Sequence, residues 1–150
     1  MGFHSGTRTK SVLVVCTTDA EGIAQNKVVS QGIEFPNLAE HDGGSVLLKS
    51  LTLVDEVNGT LECDIVVSEL STAISGDEGK SVGEDVDDLD GTISKMAGFV
   101  PVRAADYTDL IDARMATKTG IDLVLQSSPG SKSMYVHIIN RGSTVTFGET

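Results

Sequence analysis

The stretch that decides the fold is Ile121–Phe147, IDLVLQSSPGSKSMYVHIINRGSTVTF. The apolar set Ile121, Leu123 and Leu125 alternates with Asp122, Val124 and Gln126. A second alternating run, with Ile139 as its exception, begins at Met134 after a Pro-Gly turn. Such alternation indicates strands that each have one apolar face. Pro fixes φ at about −65° and Gly accepts a positive φ, as the two central positions of a type II turn require. The stretch therefore predicts a β-hairpin with its turn at Ser128–Ser131.

The same pattern recurs in the rest of the chain and predicts an all-β fold. Further β-rich runs stand at Ser11–Thr17, Lys27–Phe35, Val46–Glu56, Leu61–Ser68, Phe99–Val102, Leu110–Lys118 and Thr144–Phe147. Together they make about eight or nine strands, at a spacing that is typical of a β-sandwich or jelly roll. One short helix is predicted at Val86–Met96, because Leu89, Ile93 and Met96 would share one of its faces.

A second hairpin is predicted around Asn58-Gly59. A two-residue loop would place Leu53 opposite Asp64 on one face of the sheet, which wastes a core position. A three-residue loop, Val57-Asn58-Gly59, pairs Leu53 with Cys63 instead, so that apolar residues share a face. We favour the three-residue loop for this reason.

Length and charge narrow the class of protein further. The 150 residues are 39% hydrophobic and carry a formal net charge of −11. We expect a flexible arm at residues 1–10 and a single β-sandwich domain at residues 11–150. So acidic a surface repels nucleic acids and anionic membranes, and we expect neither as a partner. The apolar runs are too short for a signal peptide or a membrane span, which predicts a protein made in a cytosol.

Few residues in this sequence suggest chemistry. The three histidines, His4, His41 and His137, lack the spacing of metal ligands. His137 falls in a strand, on the face opposite Met134, where we expect it either to face solvent or to be hydrogen-bonded. Strand carboxylates such as Asp64 are expected to point outward and keep the protein soluble. Cys16 and Cys63 stand in apolar runs, which predicts buried free thiols.

The acidic run Asp85–Asp90 leaves two interpretations open. Alternating carboxylates can form an irregular cation site, because hard cations bind several oxygens at once. A solvated face at the beginning of the predicted helix, where negative charge is favourable, is the interpretation we prefer. We therefore expect no catalytic residue, no cofactor, no metal site and no enzymatic activity.

Several short phrases of the sequence occur in the order of a known family. They are Gly43-Gly44 before a strand that ends in Asp55, the acidic segment Asp85–Gly98, the corner Ala105-Asp106-Tyr107, and the late phrase Arg141-Gly142-Ser143. In these features the chain resembles the small β-sandwich structural proteins of tailed bacteriophages. The resemblance covers Val28–Phe147. The chain departs from the family at Leu70–Lys80, which has Ser, Gly and acidic residues where the family carries an aromatic and Pro-bearing segment.

The resemblance implies a virion protein on the capsid surface, assembled in the host cytoplasm, of the decoration or cement type. Its implied partner is the major capsid protein, and we expect it to form a homo-oligomer there. The resemblance implies no catalytic residues. We expect Arg8 and Lys10 of the arm to bind the partner, because a basic arm on an acidic body suits an acidic neighbour. Deleting residues 1–10 should then leave a folded protein that decorates particles poorly.

Two other functions remain open at this point. One is a head–tail connector, tail or fibre-associated module, which is also structural but present in few copies. The other is a small ligand- or carbohydrate-binding β-sandwich. Sugar sites favour exposed aromatic residues, and a chain with no Trp and two Tyr is poorly equipped for one.

Overall fold

The structure is a computed structural model, and it describes residues 9–14, 22–55, 60–71 and 96–146. The described chain forms seven strands and one short 3-10 helix. The elements are β1 (Val28–Phe35), β2 (Ser45–Asp55), β3 (Cys63–Ser68), β4 (Met96–Val102), the 3-10 helix Ala104–Asp106, β5 (Tyr107–Asp109), β6 (Arg114–Gln126) and β7 (Met134–Asn140). All paired strands are antiparallel. The predicted all-β class is confirmed.

The strands form two sheets that pack face to face. The four-stranded sheet has the order β1-β7-β3-β4, and the three-stranded sheet has the order β2-β6-β5. One core cluster draws buried residues from both sheets: Val29, Cys63, Ile65, Val67, Val100, Val102, Ala116, Leu125, Met134, Val136 and Ile138. Aliphatic residues dominate this core, as expected for a sequence with few aromatic residues. The protein is therefore a β-sandwich.

The first predicted hairpin is wrong, although its turn is present. Ser131 N–H donates to the Ser128 carbonyl at 3.0 Å, and Gly130 has a φ of 82°, as in a type II turn. However, β6 pairs with β2 and β5, whereas β7 pairs with β1 and β3. Leu125 and Met134 therefore face each other across the core instead of lying side by side. Alternation identifies the apolar face of each strand. That face can be buried equally well by two strands paired in one sheet or by two strands in facing sheets.

The second predicted hairpin fails for the same reason. Leu53 lies opposite Ala116 of β6, whereas Cys63 lies opposite Val102 and Asn140. Neither register that we considered is correct, because β2 and β3 belong to different sheets. The loop predicted at residues 57–59 lies outside the described residues.

The strand β6 is longer than the sequence indicates. The sequence predicts two strands, Leu110–Lys118 and Ile121–Gln126, yet Arg114–Gln126 is one strand of 13 residues. Positive φ angles of 65° at Gly120 and 48° at Asp122 bend it. A register shift opposite Leu48 and Ser50 of β2 accommodates the bend, so the ladder continues on both sides.

Three further predictions concern the ends of the chain and the acidic segment. Of Ser11–Thr17, the described residues 11–14 belong to neither sheet. Within Thr144–Phe147, Val145 forms a single bridge with Ile23. The predicted helix Val86–Met96 and the acidic run Asp85–Asp90 lie outside the described residues, except for Met96, which begins β4.

Two connections between the sheets run side by side at one end of the sandwich. The connection from β1 to β2 and the connection from β6 to β7 are joined by backbone hydrogen bonds. Gly43 N–H donates to Ser131 O at 2.9 Å, and Ala39 N–H donates to Lys132 O at 3.1 Å. Ser127 N–H donates to Gly44 O at 3.1 Å. The Ser128–Ser131 turn therefore lies at a crossing between sheets.

Gly130→Ala is expected to lower the free energy of unfolding by about 1 kcal/mol, because alanine is strained at a positive φ. A Cβ on Gly130 would meet nothing within 4 Å, so backbone strain is the source of the loss. Gly130→Asn is the matched control and should lose less, since asparagine tolerates this conformation better. Urea unfolding of the three proteins measures both differences. Identical stabilities would contradict the left-handed conformation at this position.

Candidate docking surface

The outer face of the three-stranded sheet exposes apolar side chains in a row along β2 and β6. Leu47 lies opposite Val124, and Val54 lies opposite Met115. The exposed fractions are 47% for Leu47, 50% for Val54 and 65% for Val124, against 2% for the core residue Leu125. Apolar side chains exposed along one sheet face are typical of surfaces that bind other proteins.

Polar pairs with balanced charge separate the two apolar pairs. Lys49 Nζ and Asp122 Oδ1 form an exposed ion pair at 2.5 Å. The hydroxyls of Thr52 and Thr117 lie 3.2 Å apart and are hydrogen-bonded. The ion pair cancels its own charge, although the whole chain carries −11. Another acidic protein can therefore approach this face with less repulsion than the net charge of the chain suggests.

An apolar groove of about 390 Å³ opens between β1 of one sheet and β2 of the other. Side chains from both sheets line it, among them Phe35, Leu48, Leu51, Leu125, Met134 and Val136. Residues Lys10–Val14, here called the strap, lie along this groove. Val12 and Val14 are half-buried, whereas Leu13 is 90% exposed. The strap thus covers the groove with alternate side chains, as an extended segment does.

Of the two residues predicted to bind a partner, the structure describes Lys10 only. Its ammonium group donates to the carbonyl oxygens of Asn37 at 2.6 Å and Leu38 at 3.1 Å, just beyond the end of β1. Lys10 therefore anchors the strap to the body of its own chain. Arg8 lies outside the described residues.

His137 is fully buried on the outer face of the four-stranded sheet, opposite to Met134 as predicted. Gly32 N–H donates to its Nδ1 at 3.2 Å, and its Nε2 lies 3.2 Å from the Leu70 carbonyl oxygen. These partners define the tautomer, because Nδ1 must accept and Nε2–H must donate. Burial lowers the pKa of His137, and the hydrogen bond to Leu70 only partly offsets it. The imidazole therefore links β7 to β1 and to the chain beyond β3 as a neutral group.

Asp64 is not the solvated surface carboxylate that the sequence indicated. Its side chain is 13% exposed and accepts hydrogen bonds from two guanidinium groups. Arg103 Nη2 donates to Oδ1 at 2.8 Å, and Arg141 Nε donates to Oδ2 at 2.6 Å. Arg141 Nη1 also donates to the side-chain oxygen of Asn26 at 2.8 Å. We call these four residues the Asp64 cluster; it fastens the ends of β4 and β7 to the central strand β3.

The Ala105-Asp106-Tyr107 phrase has a structural explanation. The predicted corner is the 3-10 helix Ala104–Asp106, which leads directly into β5. The hydrogen bond from Lys118 of β6 and then that from the Arg103 N–H lower the pKa of Asp106. Tyr107 Oη donates to the Leu61 carbonyl at 2.7 Å, and burial raises the pKa of its phenol. The corner thereby fastens both sheets at this end of the sandwich.

Cys63 is buried, as predicted, and forms no disulfide bond, whereas Cys16 lies outside the described residues. Within the described part of the chain, no group of three or more His, Cys, Asp or Glu side chains is arranged to hold a metal ion. Among the same residues, no helix has the length and apolar character needed to cross a membrane. The irregular cation site that we considered at Asp85–Asp90 falls on residues that neither observation covers.

Comparisons of this chain with protein-family models, with curated proteins and with solved structures find no match. What the docking surface binds is therefore inferred from its own geometry and from the sequence.

The exposed apolar face is a feature that our interpretation of the sequence missed. The signal was present at Val124, which alternates with Ile121, Leu123 and Leu125 and so falls in the outward set with Asp122 and Gln126. At Leu47 the signal was weaker, because Leu47 and Leu48 are adjacent and either one can face the core. The pairing of Leu47 with Val124 depends on the β2–β6 ladder, which we did not predict.

Proposed function

We propose that this protein is a structural component of a bacteriophage particle, which binds the outside of the capsid and stabilises contacts between coat subunits. The observation that carries the proposal is the outer face of the three-stranded sheet, with Leu47, Val54 and Val124 each about half exposed or more. The sequence resemblance to small structural proteins of tailed bacteriophages supplies the class of partner, the major capsid protein.

The outer face of the three-stranded sheet suits a shell partner for physical reasons. Its apolar pairs gain free energy when a partner excludes water from them. The Lys49–Asp122 pair adds no net charge, so an acidic coat surface can come close. The large negative charge of the remaining chain favours solubility before assembly. Weak contacts of this kind become effective when they are repeated over a symmetric shell.

The number of copies per particle distinguishes decoration from a connector or tail role. Quantitative mass spectrometry of purified virions gives the ratio of this protein to the major coat protein. A ratio of the same order as that of the coat protein is expected for a decoration protein. A few copies per particle would favour the connector or tail-associated alternative, and absence from virions would overturn the proposal.

Replacing Leu47 and Val124 together by threonine is expected to weaken binding to capsids roughly tenfold or more, with little loss of stability. Threonine has the β-branched shape that strands favour, and it removes apolar surface from the face. Capsids stripped of the protein are mixed with the purified variant, and co-sedimentation measures occupancy. Ile111→Thr is the matched control, because Ile111 is 85% exposed but lies in the loop between β5 and β6. If both variants bind equally well, the outer face is not the docking surface.

A further inference from the structure

The strap is held by few contacts, all of which an identical strap from another chain can make. Lys10 binds two carbonyl oxygens, and Val12 and Val14 reach into the groove. Both valines are only half-buried, and the groove that they line, of about 390 Å³, is partly open. A segment seated in a partly open groove makes fewer packing contacts than one enclosed in a core. The strap is therefore weakly fastened compared with the strands beside it.

We propose that the groove between β1 and β2 binds the strap of a second copy of this chain, so that two copies exchange straps. The occupant is defined by what already lies there: an extended segment with alternate valines and a lysine two residues before the first valine. In an exchanged pair, Lys10 of one copy binds Asn37 and Leu38 of the other. The valines fill the same apolar groove. The inference goes beyond capsid binding and concerns the isolated protein as much as the particle.

Charge and exposure both support a second copy as the occupant. The body of each copy is acidic, so a strap that carries Lys10 is attracted to it. Leu13 of the strap is 90% exposed within one chain. A strap that bridges two copies brings this side chain towards the surface between them. In every other respect an exchanged pair makes the same interactions as two separate chains. Local protein concentration therefore determines the equilibrium between separate chains and exchanged pairs.

The length of the chain permits the exchange. Seven residues, 15–21, join Val14 to the next described residue, Gly22. An extended segment of that length reaches at most about 25 Å, which is comparable with the length of an eight-residue strand such as β1. The strap of one copy can therefore reach a neighbour that lies against the groove.

Cross-linking between differently labelled copies tests the exchange. Ser11 of the strap and Ser50 of β2 are both exposed and line the same groove. One chain carries Ser11→Cys and an affinity tag, the other carries Ser50→Cys, and both carry Cys16→Ser. After the two are incubated together, a short bis-maleimide is added. We expect a tagged heterodimer whose yield rises with protein concentration. A third chain with both Ser11→Cys and Ser50→Cys should cross-link within itself in dilute solution.

The control replaces Ser50→Cys by Ile111→Cys, which is 85% exposed in the loop between β5 and β6 and is not among the residues that line the groove. This pair should give no heterodimer above background. Replacing Val12 and Val14 by serine should lower the heterodimer yield about tenfold, because the strap loses its apolar anchors. The proposal is overturned if the heterodimer never exceeds the Ile111→Cys background. It is also overturned if the doubly substituted chain fails to cross-link, since the strap then does not lie in the groove.

Discussion

His137→Ala is expected to lower the free energy of unfolding by about 4 kcal/mol. The substitution removes a fully buried ring and leaves Gly32 N–H and the Leu70 carbonyl without this partner. Equilibrium unfolding in urea measures the loss. Met134→Leu on the same strand is the matched control, because it changes a buried side chain without removing a hydrogen bond and should cost less than about 1.5 kcal/mol. Equal losses in the two variants would mean that the hydrogen bonds of the imidazole add nothing to its packing.

His137 also gives the protein a distinctive dependence on pH. Burial lowers the pKa of His137 in the folded state, whereas the unfolded chain has the ordinary value of about 6.5. Above that value the imidazole is neutral in both states, and its full contribution to stability is present. As pH falls below it, the unfolded chain binds a proton that the folded chain excludes, and stability decreases towards the folded-state pKa. Asp106, whose pKa is also lowered, acts in a separate window, below about pH 4.

Unfolding experiments at a series of pH values separate this effect from loss of packing. The natural protein should lose stability as pH falls below about 6.5, with a slope that for one group cannot exceed about 1.4 kcal/mol per pH unit. His137→Leu removes the titrating group while keeping an apolar side chain in its place, and it should lose that slope. If the slope persists in the variant, another group causes it.

Asp64→Asn is expected to cost about 2–3 kcal/mol of unfolding free energy, since it removes the negative charge that two guanidinium groups share. An amide also presents a donor to one of the two arginines, so that one hydrogen bond is lost outright. Because Asp64 fastens β4 and β7 to β3, the loss should appear as cooperative destabilisation of the whole four-stranded sheet. Thermal and urea unfolding measure it.

Asp122→Asn is the matched control for the Asp64 cluster. Asp122 also lies in a strand and forms an ion pair, but it is 61% exposed and its partner Lys49 is 68% exposed. Exposed pairs contribute about 0–1 kcal/mol. Asn also tolerates the φ of 48° at this position, so the variant should be close to neutral. If the two variants lose equal stability, the Asp64 cluster contributes no more than a surface pair.

The sequence predicted the strands better than it predicted their neighbours. The runs that became β1, β2, β3 and β7 were located to within two residues, because period-two alternation is a property of each strand alone. Both predicted hairpins failed because Leu125 and Met134, like Leu53 and Cys63, are apolar residues of facing sheets. An apolar face requires an apolar partner but does not say whether the partner lies beside it or across the core.

The polar interior was the least accessible from sequence. The sequence allowed a hydrogen-bonded His137, which is what the structure shows, but its partners Gly32 and Leu70 lie 105 and 67 residues away in the chain. The alternation of β3 indicated a surface carboxylate at Asp64. What buries it is the arrival of Arg103 and Arg141 from the ends of two neighbouring strands. Such encounters depend on the order of strands in the sheet, and local pattern does not encode that order.

The position of β7 has a consequence for how this chain acquires its shape during synthesis. β7 is the last strand of the described chain, yet it lies between β1 and β3, and Val28 pairs with Ile139 more than a hundred residues later. At roughly 5–20 residues per second, a ribosome takes on the order of ten seconds to deliver the neighbour that β1 requires. Assembly of the four-stranded sheet therefore waits until β7 has been synthesised. A chain that stops before Met134 lacks an inner strand of this sheet, not an edge strand. In such a chain β1 has lost the strand with which it pairs, and the four-stranded sheet cannot form.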